Sequence, residues 1–283
     1  MQPILNVDKL SISFETPKGM VAAVRDISFT LGKERLGIVG ESGSGKSQTG
    51  RAILGLTAKN GRVSADQILF DGVDLSRLPE RRLRKIRGAR ISMIMQDPRY
   101  SLNPVMRVGE QIAEAFRVHT GAKKLQAKDR TIEMLNRVRI REPEKVYNLF
   151  PHEVSGGMGQ RIMIAMMLIP EPDILIADEP TSALDVTVQL QILSILDDMV
   201  REQGMGLILI SHDLNLVSSF CDRVLVMYGG QILESLKASD LADAKHPYTR
   251  GLLDCLPSVE RQGELTVLTR DPKWLENKAT SYD

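Results

Sequence analysis

Residues 40–47 read Gly-Glu-Ser-Gly-Ser-Gly-Lys-Ser and directly follow the apolar run Leu-Gly-Ile-Val at 36–39. Glycines at these spacings permit positive φ angles and a close approach of the backbone, so successive N–H groups can converge on phosphate oxygens at a helix start. A buried strand before the loop and a helix over 48–56 after it favour a phosphate-binding loop over an ordinary Gly/Ser turn. The sequence therefore predicts binding of a nucleoside triphosphate.

The residues of this loop have separate expected roles. Lys46 is expected to reach the β- and γ-phosphates, and the Ser47 hydroxyl is expected to hold Mg²⁺. The other positions are expected to line the phosphates, namely Gly40, Glu41, Ser42, Gly43, Ser44 and Gly45.

The composition limits the class of protein. Of the 283 residues, 42% are hydrophobic and 26% are charged, as in an ordinary globular protein. Lys plus Arg (37) nearly balances Asp plus Glu (36), which argues against nucleic acid as the default partner. Cys221 and Cys255 are far apart and fit neither a disulfide framework nor a zinc site, so a reducing, cytoplasmic setting is expected.

No segment of the sequence has the pattern of a membrane signal or anchor. Residues 1–4 lack the basic and apolar regions of a secretion signal. Apolar stretches such as 162–169 are far shorter than the roughly 20 residues of a spanning helix. We therefore expect other chains to span the membrane if the protein serves one.

Periodicity predicts an α/β protein. Residues 4–14 and 21–31 alternate apolar and polar residues, which indicates antiparallel strands. Apolar residues at three- and four-residue spacing predict amphipathic helices over 108–118 and 127–138, within a helical insert from about Asp97 to Val154. Near-continuous apolar runs predict buried parallel strands, at 173–177, 206–210 and 223–227.

Two carboxylates end the first of these runs. Asp178 and Glu179 would be costly to bury at a strand end without a cation. Asp178 is suited to Mg²⁺, and Glu179 is suited to polarise an attacking water as general base. For an isolated Asp-Glu pair a solvated turn would be favoured, but the phosphate loop upstream favours the catalytic interpretation.

A second anion-binding pattern lies at Ser155-Gly156-Gly157, just before the apolar helical run 162–168. A hydroxyl, free N–H groups and a helix dipole would all face one point there. Taken alone, the pattern favours a flexible helix cap over an anion site.

The order of these motifs resembles that of an ABC-type ATPase subunit. The matching elements are Walker A (40–47), the Q-loop (Gln96), the signature (154–158), Walker B (174–179), the D-loop (182–185) and the switch histidine (His212). The resemblance implies a P-loop NTPase (RecA-like) core with a parallel sheet, an N-terminal antiparallel β-subdomain and a helical insert. It places the ATPase domain at 1–255 and a short tail at 256–283.

The resemblance also implies roles for individual residues. Phe14 would stack on adenine, although a core position is nearly as compatible with the sequence. Gln96 would contact Mg²⁺ and water, and His212 would contact the γ-phosphate and orient Glu179. In this family two subunits pair head to tail, so Ser155, Gly156, Gly157 and Asp185 of one chain would complete the ATP site of the other.

Two positions depart from the family pattern. Met158 stands where Gln is usual and is followed by Gly159, which costs up to about 1 kcal/mol in a helix relative to Ala. Gln48 stands where many relatives have Thr beside the α-phosphate.

The stretches 97–104, 183–189 and especially 246–253 (His-Pro-Tyr-Thr-Arg-Gly-Leu-Leu) resemble the oligopeptide, dipeptide and nickel importer group. Met158 is itself similar to that group. The resemblance implies ATP and Mg²⁺ as cofactors, with peptides as the favoured cargo and nickel, an opine or a sugar conjugate as alternatives. With only Cys255 in the tail, no iron–sulfur cluster is expected.

The implied partners are a second, homologous ATPase subunit, two transmembrane permeases and, indirectly, a solute-binding protein, with no nucleic acid. A heterodimer of ATPase subunits is favoured over a homodimer, at the cytoplasmic face of the inner membrane. The surface near 99–108 is expected to dock a permease. A soluble ABC ATPase acting on nucleic acid or the ribosome, and a plain P-loop kinase, are the alternatives from other classes.

Overall fold

The computed structural model describes residues 3–95, 101–182, 184–255 and Trp274. The chain divides into two compact units. We refer to Met1–Leu78 together with Ile208–Asp283 as the first unit, and to Pro79–Leu207 as the second unit.

Strands and helices of the described ranges alternate along most of the chain. The strands are β1 (Leu5–Thr16), β2 (Gly19–Leu31), β3 (Arg35–Val39), β4 (Gly61–Ser64), β5 (Gln67–Phe70), β6 (Val73–Asp74), β7 (Ile91–Ile94), β8 (Ile174–Asp178), β9 (Gly206–Ser211), β10 (Arg223–Tyr228) and β11 (Gln231–Lys237). The α-helices are α1 (Lys46–Ile53), α2 (Glu80–Ile86), α3 (Val108–Thr120), α4 (Lys124–Arg137), α5 (Pro143–Tyr147), α6 (Gly156–Leu168), α7 (Val186–Gln203), α8 (Leu214–Phe220) and α9 (Pro247–Asp254).

An antiparallel sheet in the first unit is built around β1. This strand pairs with β2 along one edge and with β4 and β5 along the other, and β6 extends the sheet beside β5. Leu5, Val7, Leu10 and Ile12 are at most 1% exposed, while the residues between them are partly or fully exposed. The alternation has one extra residue between Val7 and Leu10, where the pairing with β2 shifts register and Lys9 has a φ of 47°. The antiparallel strands predicted at 4–14 and 21–31 are confirmed.

A second group of strands in the first unit carries the phosphate loop. Strand β10 lies parallel to β3, with Val226 opposite Val39. The apolar run at 223–227 was expected to form a parallel strand, and it does. Strand β11 pairs antiparallel with β10 and has no counterpart in the sequence analysis. Its side chains do not alternate cleanly, since Ile232 and Leu233 are adjacent and both buried.

In the second unit, β7 and β8 pair in parallel, from Ile91 opposite Ile174 to Ile94 opposite Ala177. All five residues of β8 are buried. Helices α3 and α4 match the two predicted amphipathic helices, and they bury Ile112 and Met134 completely. Strand β9 is the segment in which the chain passes from the second unit to the first. Among the helices of the described ranges, none has the length and apolar character needed to cross a membrane.

Two helical glycines of the second unit provide a matched test of this packing. A Cβ added at Gly109 would lie 2.1 Å from Cδ2 of the Tyr147 ring, whereas a Cβ added at Gly159 would meet nothing within 4 Å. We expect Gly109→Ala to lower the free energy of unfolding by about 1–3 kcal/mol through overpacking. Gly159→Ala should raise it by up to about 1 kcal/mol because Ala favours the helix. Thermal unfolding of the two variants checks this, and equal midpoints would contradict the packing of α3 on α5.

Candidate functional site

The phosphate loop joins β3 to α1 and contains three glycines with positive φ. The φ angles are 150° at Gly40, 84° at Gly43 and 102° at Gly45, a region that other residues adopt only with strain. A Cβ at Gly40 would lie 2.0 Å from the carbonyl oxygen of Met227, and one at Gly45 would lie 2.6 Å from that of Ala23. A Cβ at Gly43 would meet nothing, so the loop is packed at its two ends and open in its middle.

Lys46, the first residue of α1, folds back under this loop. Lys46 is only 6% exposed. The Nζ donates hydrogen bonds to the carbonyl oxygens of Gly40 (2.8 Å) and Glu41 (2.9 Å). A buried ammonium favours anionic partners over neutral carbonyls, so Lys46 is well placed to donate hydrogen bonds to phosphate oxygens.

The other residues of the loop differ in their exposure to solvent. Ser42 and Gly43 are exposed, whereas Ser44 is buried and its N–H donates to the carbonyl of Glu41 (3.1 Å). Ser47 and Gln48, in the first turn of α1, are partly exposed. The structure thus brings the predicted loop residues together between β3 and α1 of the first unit, with Ser42 and Gly43 exposed to solvent.

A contact that the sequence analysis missed supports the loop from behind. The backbone N–H of Glu41 donates to the hydroxyl of Tyr248 (3.1 Å), which is fully buried in α9. The side chain of His246 caps α9, with its Nδ1 accepting from the N–H of Tyr248 (3.1 Å). Burial lowers the pKa of His246, against the opposing effect of Glu234, and this favours the neutral imidazole that can accept a hydrogen bond. The sequence of residues 246–253 indicates a branch of the family, but it does not indicate this contact with the loop.

Phe14 and His212 also lie in the first unit. Phe14 is partly exposed on β1 and stands opposite Val21 of β2, which is 52% exposed. An exposed apolar pair of this kind offers a surface on which a flat base can stack. His212 is exposed directly after β9, and Asp213 caps α8 by accepting from the N–H of Leu216 (3.1 Å).

The two carboxylates lie at the end of β8 in the second unit. Asp178 is 5% exposed, while Glu179 is partly exposed and has a φ of 48°. Left-handed backbone is strained for glutamate by about 1–2 kcal/mol, and such strain concentrates at functional sites. The N–H of Ser182 donates to the carbonyl of Glu179 (3.4 Å), which closes the turn.

Ser155 caps α6, as the sequence predicts. Its Oγ accepts a hydrogen bond from the N–H of Met158 (3.3 Å), and Ser155 and Gly156 are exposed. A Cβ at Gly156 would meet nothing within 4 Å, whereas one at Gly157 would lie 3.0 Å from Val188 of α7. The helix start is therefore open to solvent on the side of Gly156 and supported by α7 on the side of Gly157.

Asp185 caps α7 in a similar way, accepting from the N–H of Val188 (3.0 Å). The buried side chain of Gln160 donates to the carbonyl of Pro180 (2.5 Å) and so connects α6 with the loop after Glu179. Val186 and Leu190 are 72% and 62% exposed on the first turns of α7. The sequence analysis missed both features.

Some predicted positions lie outside the described residues. These are Gln96, Ala183, residues 97–100 and the tail 256–283 apart from Trp274.

Comparison with known proteins identifies the family. A family model described as ABC transporter matches residues 24–182, more than half of the chain. The chain is 49% identical over 272 residues to the oligopeptide transport ATP-binding protein OppD of Salmonella typhimurium, across 95% of this chain and 81% of that protein. It is 48% identical to OppD of Bacillus subtilis (97% and 78% covered) and 46% identical to the dipeptide transport ATP-binding protein DppD of Escherichia coli (92% and 80% covered).

Solved structures agree with this family. The dimeric, post-hydrolysis structure of the ATP-binding cassette MJ0796 bound to ADP and Pi superposes with a TM-score of 0.75 and 25% identity, across 83% of this chain and 98% of that one. The structure of cbiO1 from Clostridium perfringens gives a TM-score of 0.72 and 27% identity, across 86% and 92%. The predicted α/β fold is confirmed, and the chain belongs to the ABC transporter family.

Proposed function

We propose that this chain is the ATP-hydrolysing subunit of an importer that carries peptides through partner membrane permeases. The observation that carries the proposal is the phosphate loop, closed around Lys46 and open at Gly43, in a chain 46–49% identical to proteins named as oligopeptide and dipeptide transport ATP-binding proteins. The loop indicates the ATP-binding site, and the names of the relatives indicate peptides as the transported substrate.

ATP would be held by the loop N–H groups, by Lys46 and by the exposed apolar surface of Phe14. Mg²⁺ would be held by the hydroxyl of Ser47, by Asp178 and by Gln96. Hydroxyl, carboxylate and amide oxygens are hard ligands that suit Mg²⁺, which usually takes few protein ligands beside substrate phosphates. When bound, Mg²⁺ would neutralise phosphate charge.

The exposed start of α6 supports a site shared between two subunits. Ser155 and the open Gly156 present a positive helix end to solvent. They belong to the second unit, whereas the phosphate loop at 40–47 belongs to the first unit. Exposed Val186 and Leu190 add an apolar surface to the neighbouring α7, as is typical of interaction sites. The partner would be a homologous ATPase subunit, in a heterodimer in preference to a homodimer, with Asp185 facing the shared site.

Hydrolysis would depend on Glu179 and His212. The partly exposed carboxylate of Glu179 would accept a proton from the attacking water, and the imidazole of His212 would orient that water and the γ-phosphate. The strained φ of Glu179 holds the carboxylate just beyond the end of β8. Gln96 would report the state of the nucleotide to the helical insert at 97–154.

Closure of two subunits around ATP would move the inserts and switch two permeases between access states. The permeases would place this chain at the cytoplasmic face of the inner membrane, with a solute-binding protein delivering cargo on the other side. Nickel or another small solute is the alternative cargo. The test is to measure the ATPase activity of the assembled transporter with its solute-binding protein. Stimulation by the binding protein loaded with peptide, without stimulation by nickel, would identify peptides as the cargo.

The base role of Glu179 predicts a specific loss. Glu179→Gln should bind ATP as the wild type does but hydrolyse it at least roughly 100-fold more slowly, and it should accumulate ATP-bound dimers. Glu202→Gln, which removes an exposed carboxylate of the second unit, should retain wild-type turnover. ATPase rates and size-exclusion chromatography with ATP check both variants. If Glu179→Gln hydrolysed ATP at the wild-type rate, Glu179 could not be the general base.

The proposed permease surface gives a second prediction. Val105 is 79% exposed, within the stretch 99–108, and Val118 is 70% exposed at the end of α3. Val105→Asp should weaken binding to the permeases and abolish transport, because a charge would be buried at the interface. ATP binding by the isolated chain should not change. Val118→Asp is the matched control, and equal transport defects in both variants would argue against docking at Val105.

A further inference from the structure

Three aromatic side chains form a cluster behind the phosphate loop, and we call them the aromatic cluster: Tyr228, Tyr248 and Trp274. The ring centroids of Tyr228 and Tyr248 lie 4.6 Å apart, and the indole of Trp274 lies 5.4 Å from each of them. Tyr248 has no exposed surface. The cluster thus joins the end of β10, the start of α9 and one residue of the C-terminal tail.

The hydroxyl of Tyr248 reaches one peptide unit of the loop. The Gly40–Glu41 peptide donates its N–H to this hydroxyl (3.1 Å) and accepts the Lys46 ammonium on its carbonyl (2.8 Å). Two opposed contacts therefore fix the plane of one peptide. Because Gly40 has no Cβ and a φ of 150°, the backbone itself resists rotation of that plane only weakly.

Nucleotide binding changes the balance of these contacts. When Lys46 reaches the β- and γ-phosphates, its three N–H donors are shared between the phosphate oxygens and the carbonyls of Gly40 and Glu41, so its hold on those carbonyls weakens. The N–H of Glu41 still has the Tyr248 hydroxyl as its acceptor. The contact with Tyr248 then matters more to the shape of the loop with ATP bound than without it.

Hydrogen bonds at the start of α9 hold the backbone of Tyr248 in place. Its N–H donates to Nδ1 of His246 (3.1 Å), and the N–H groups of Lys245 and His246 donate to the carboxylate of Glu234 in β11 (2.8 and 3.3 Å). The hydroxyl is therefore presented by a helix start anchored to the sheet. A group held in this way can impose a position on a flexible glycine loop.

We propose that Tyr248 is a positioning residue that sets the Gly40–Glu41 peptide for ATP binding, and that its ring contact with Trp274 makes the surroundings of that indole depend on the nucleotide state of the loop. This inference rests on the proposed ATP site. It assigns to the segment around α9 a direct part in nucleotide affinity.

The test compares Tyr248→Phe with Tyr228→Phe in the full chain. Both variants lose one hydroxyl of the aromatic cluster and keep the ring, but only Tyr248→Phe leaves the N–H of Glu41 without this acceptor. ATP should bind roughly tenfold more weakly to Tyr248→Phe and with wild-type affinity to Tyr228→Phe. In the assembled transporter the KM for ATP should rise while kcat stays nearly unchanged, because the hydroxyl does not touch the reacting atoms. A general loss of structure would instead lower the apparent kcat and leave the KM for ATP unchanged, because the fraction that stays folded binds ATP as the wild type does.

Trp274 provides a readout that needs no loss of activity, because it is the single tryptophan of the chain. Adding ATP should change the emission of Trp274 in the wild type and in Tyr228→Phe, and the change should be much smaller in Tyr248→Phe at saturating ATP. Wild-type chain that binds ATP without any change in emission would overturn the coupling between the loop and Trp274. Equal ATP affinity in wild type and Tyr248→Phe would overturn the positioning role.

The two proposals fail in different ways. If the wild-type chain does not bind ATP at all, the proposed function is wrong. If the wild type binds ATP and Tyr248→Phe binds it equally well, only the role of Tyr248 is wrong. Should Tyr248→Phe fail to fold, as judged by its thermal unfolding, the emission change of the wild type still decides the coupling to Trp274. His246→Ala, which removes the acceptor of the Tyr248 N–H, then replaces it in the test of positioning, and wild-type ATP affinity in that variant would overturn the positioning role.

Discussion

The candidate site depends on the Lys46 ammonium, buried beneath a loop of glycines. A buried cation is costly unless it is well solvated by protein groups, and here the carbonyls of Gly40 and Glu41 perform that task. Gly40 and Gly45, at the two ends of the loop, adopt positive φ angles against backbone that leaves no space for a Cβ. Neutral carbonyls are weaker partners for an ammonium than phosphate oxygens. The loop is therefore folded in a state that an incoming polyphosphate can improve.

Among the described residues, the remaining predicted site residues of the second unit lie at the start of a helix, at the end of a strand or just after it. The start of α6 at Ser155 is open, and Glu179 is held in a strained turn after a fully buried strand. Ser155 stabilises α6 as its cap, but the open space beside Gly156 and the strained φ of Glu179 contribute nothing evident to the stability of the second unit. Groups maintained at such a cost are typical of sites that bind or react.

Much of this could be predicted from the sequence because the decisive motifs are short and contiguous. The phosphate loop, the Asp178-Glu179 pair and the cap at Ser155 each lie within a few residues at the end of one strand or the start of one helix. The paired strands of the first unit were predictable because apolar and polar residues alternate along them. Gln96 stays a prediction, since it lies outside the described residues.

The missed features have a physical reason in common. Tyr248 contacts Glu41 across 207 residues of sequence, and no local pattern indicates which buried tyrosine carries a hydroxyl to a loop. The bond from Gln160 to Pro180 likewise joins two separate motifs. Val186 and Leu190 have the spacing of a buried helical stripe, and only the structure shows that they are exposed. Sequence patterns indicate periodicity, but they do not state which face is covered.

The central claim is that the phosphate loop and Ser155 of one chain serve two different ATP sites. Its most direct test is the ATP affinity of the isolated, monomeric chain carrying Ser155→Arg, compared with Lys46→Ala and with wild type. The account predicts that Ser155→Arg binds ATP within about twofold of wild type, whereas Lys46→Ala loses binding, because only Lys46 contacts the nucleotide held by the same chain. An ATP affinity reduced by Ser155→Arg as severely as by Lys46→Ala would contradict the account.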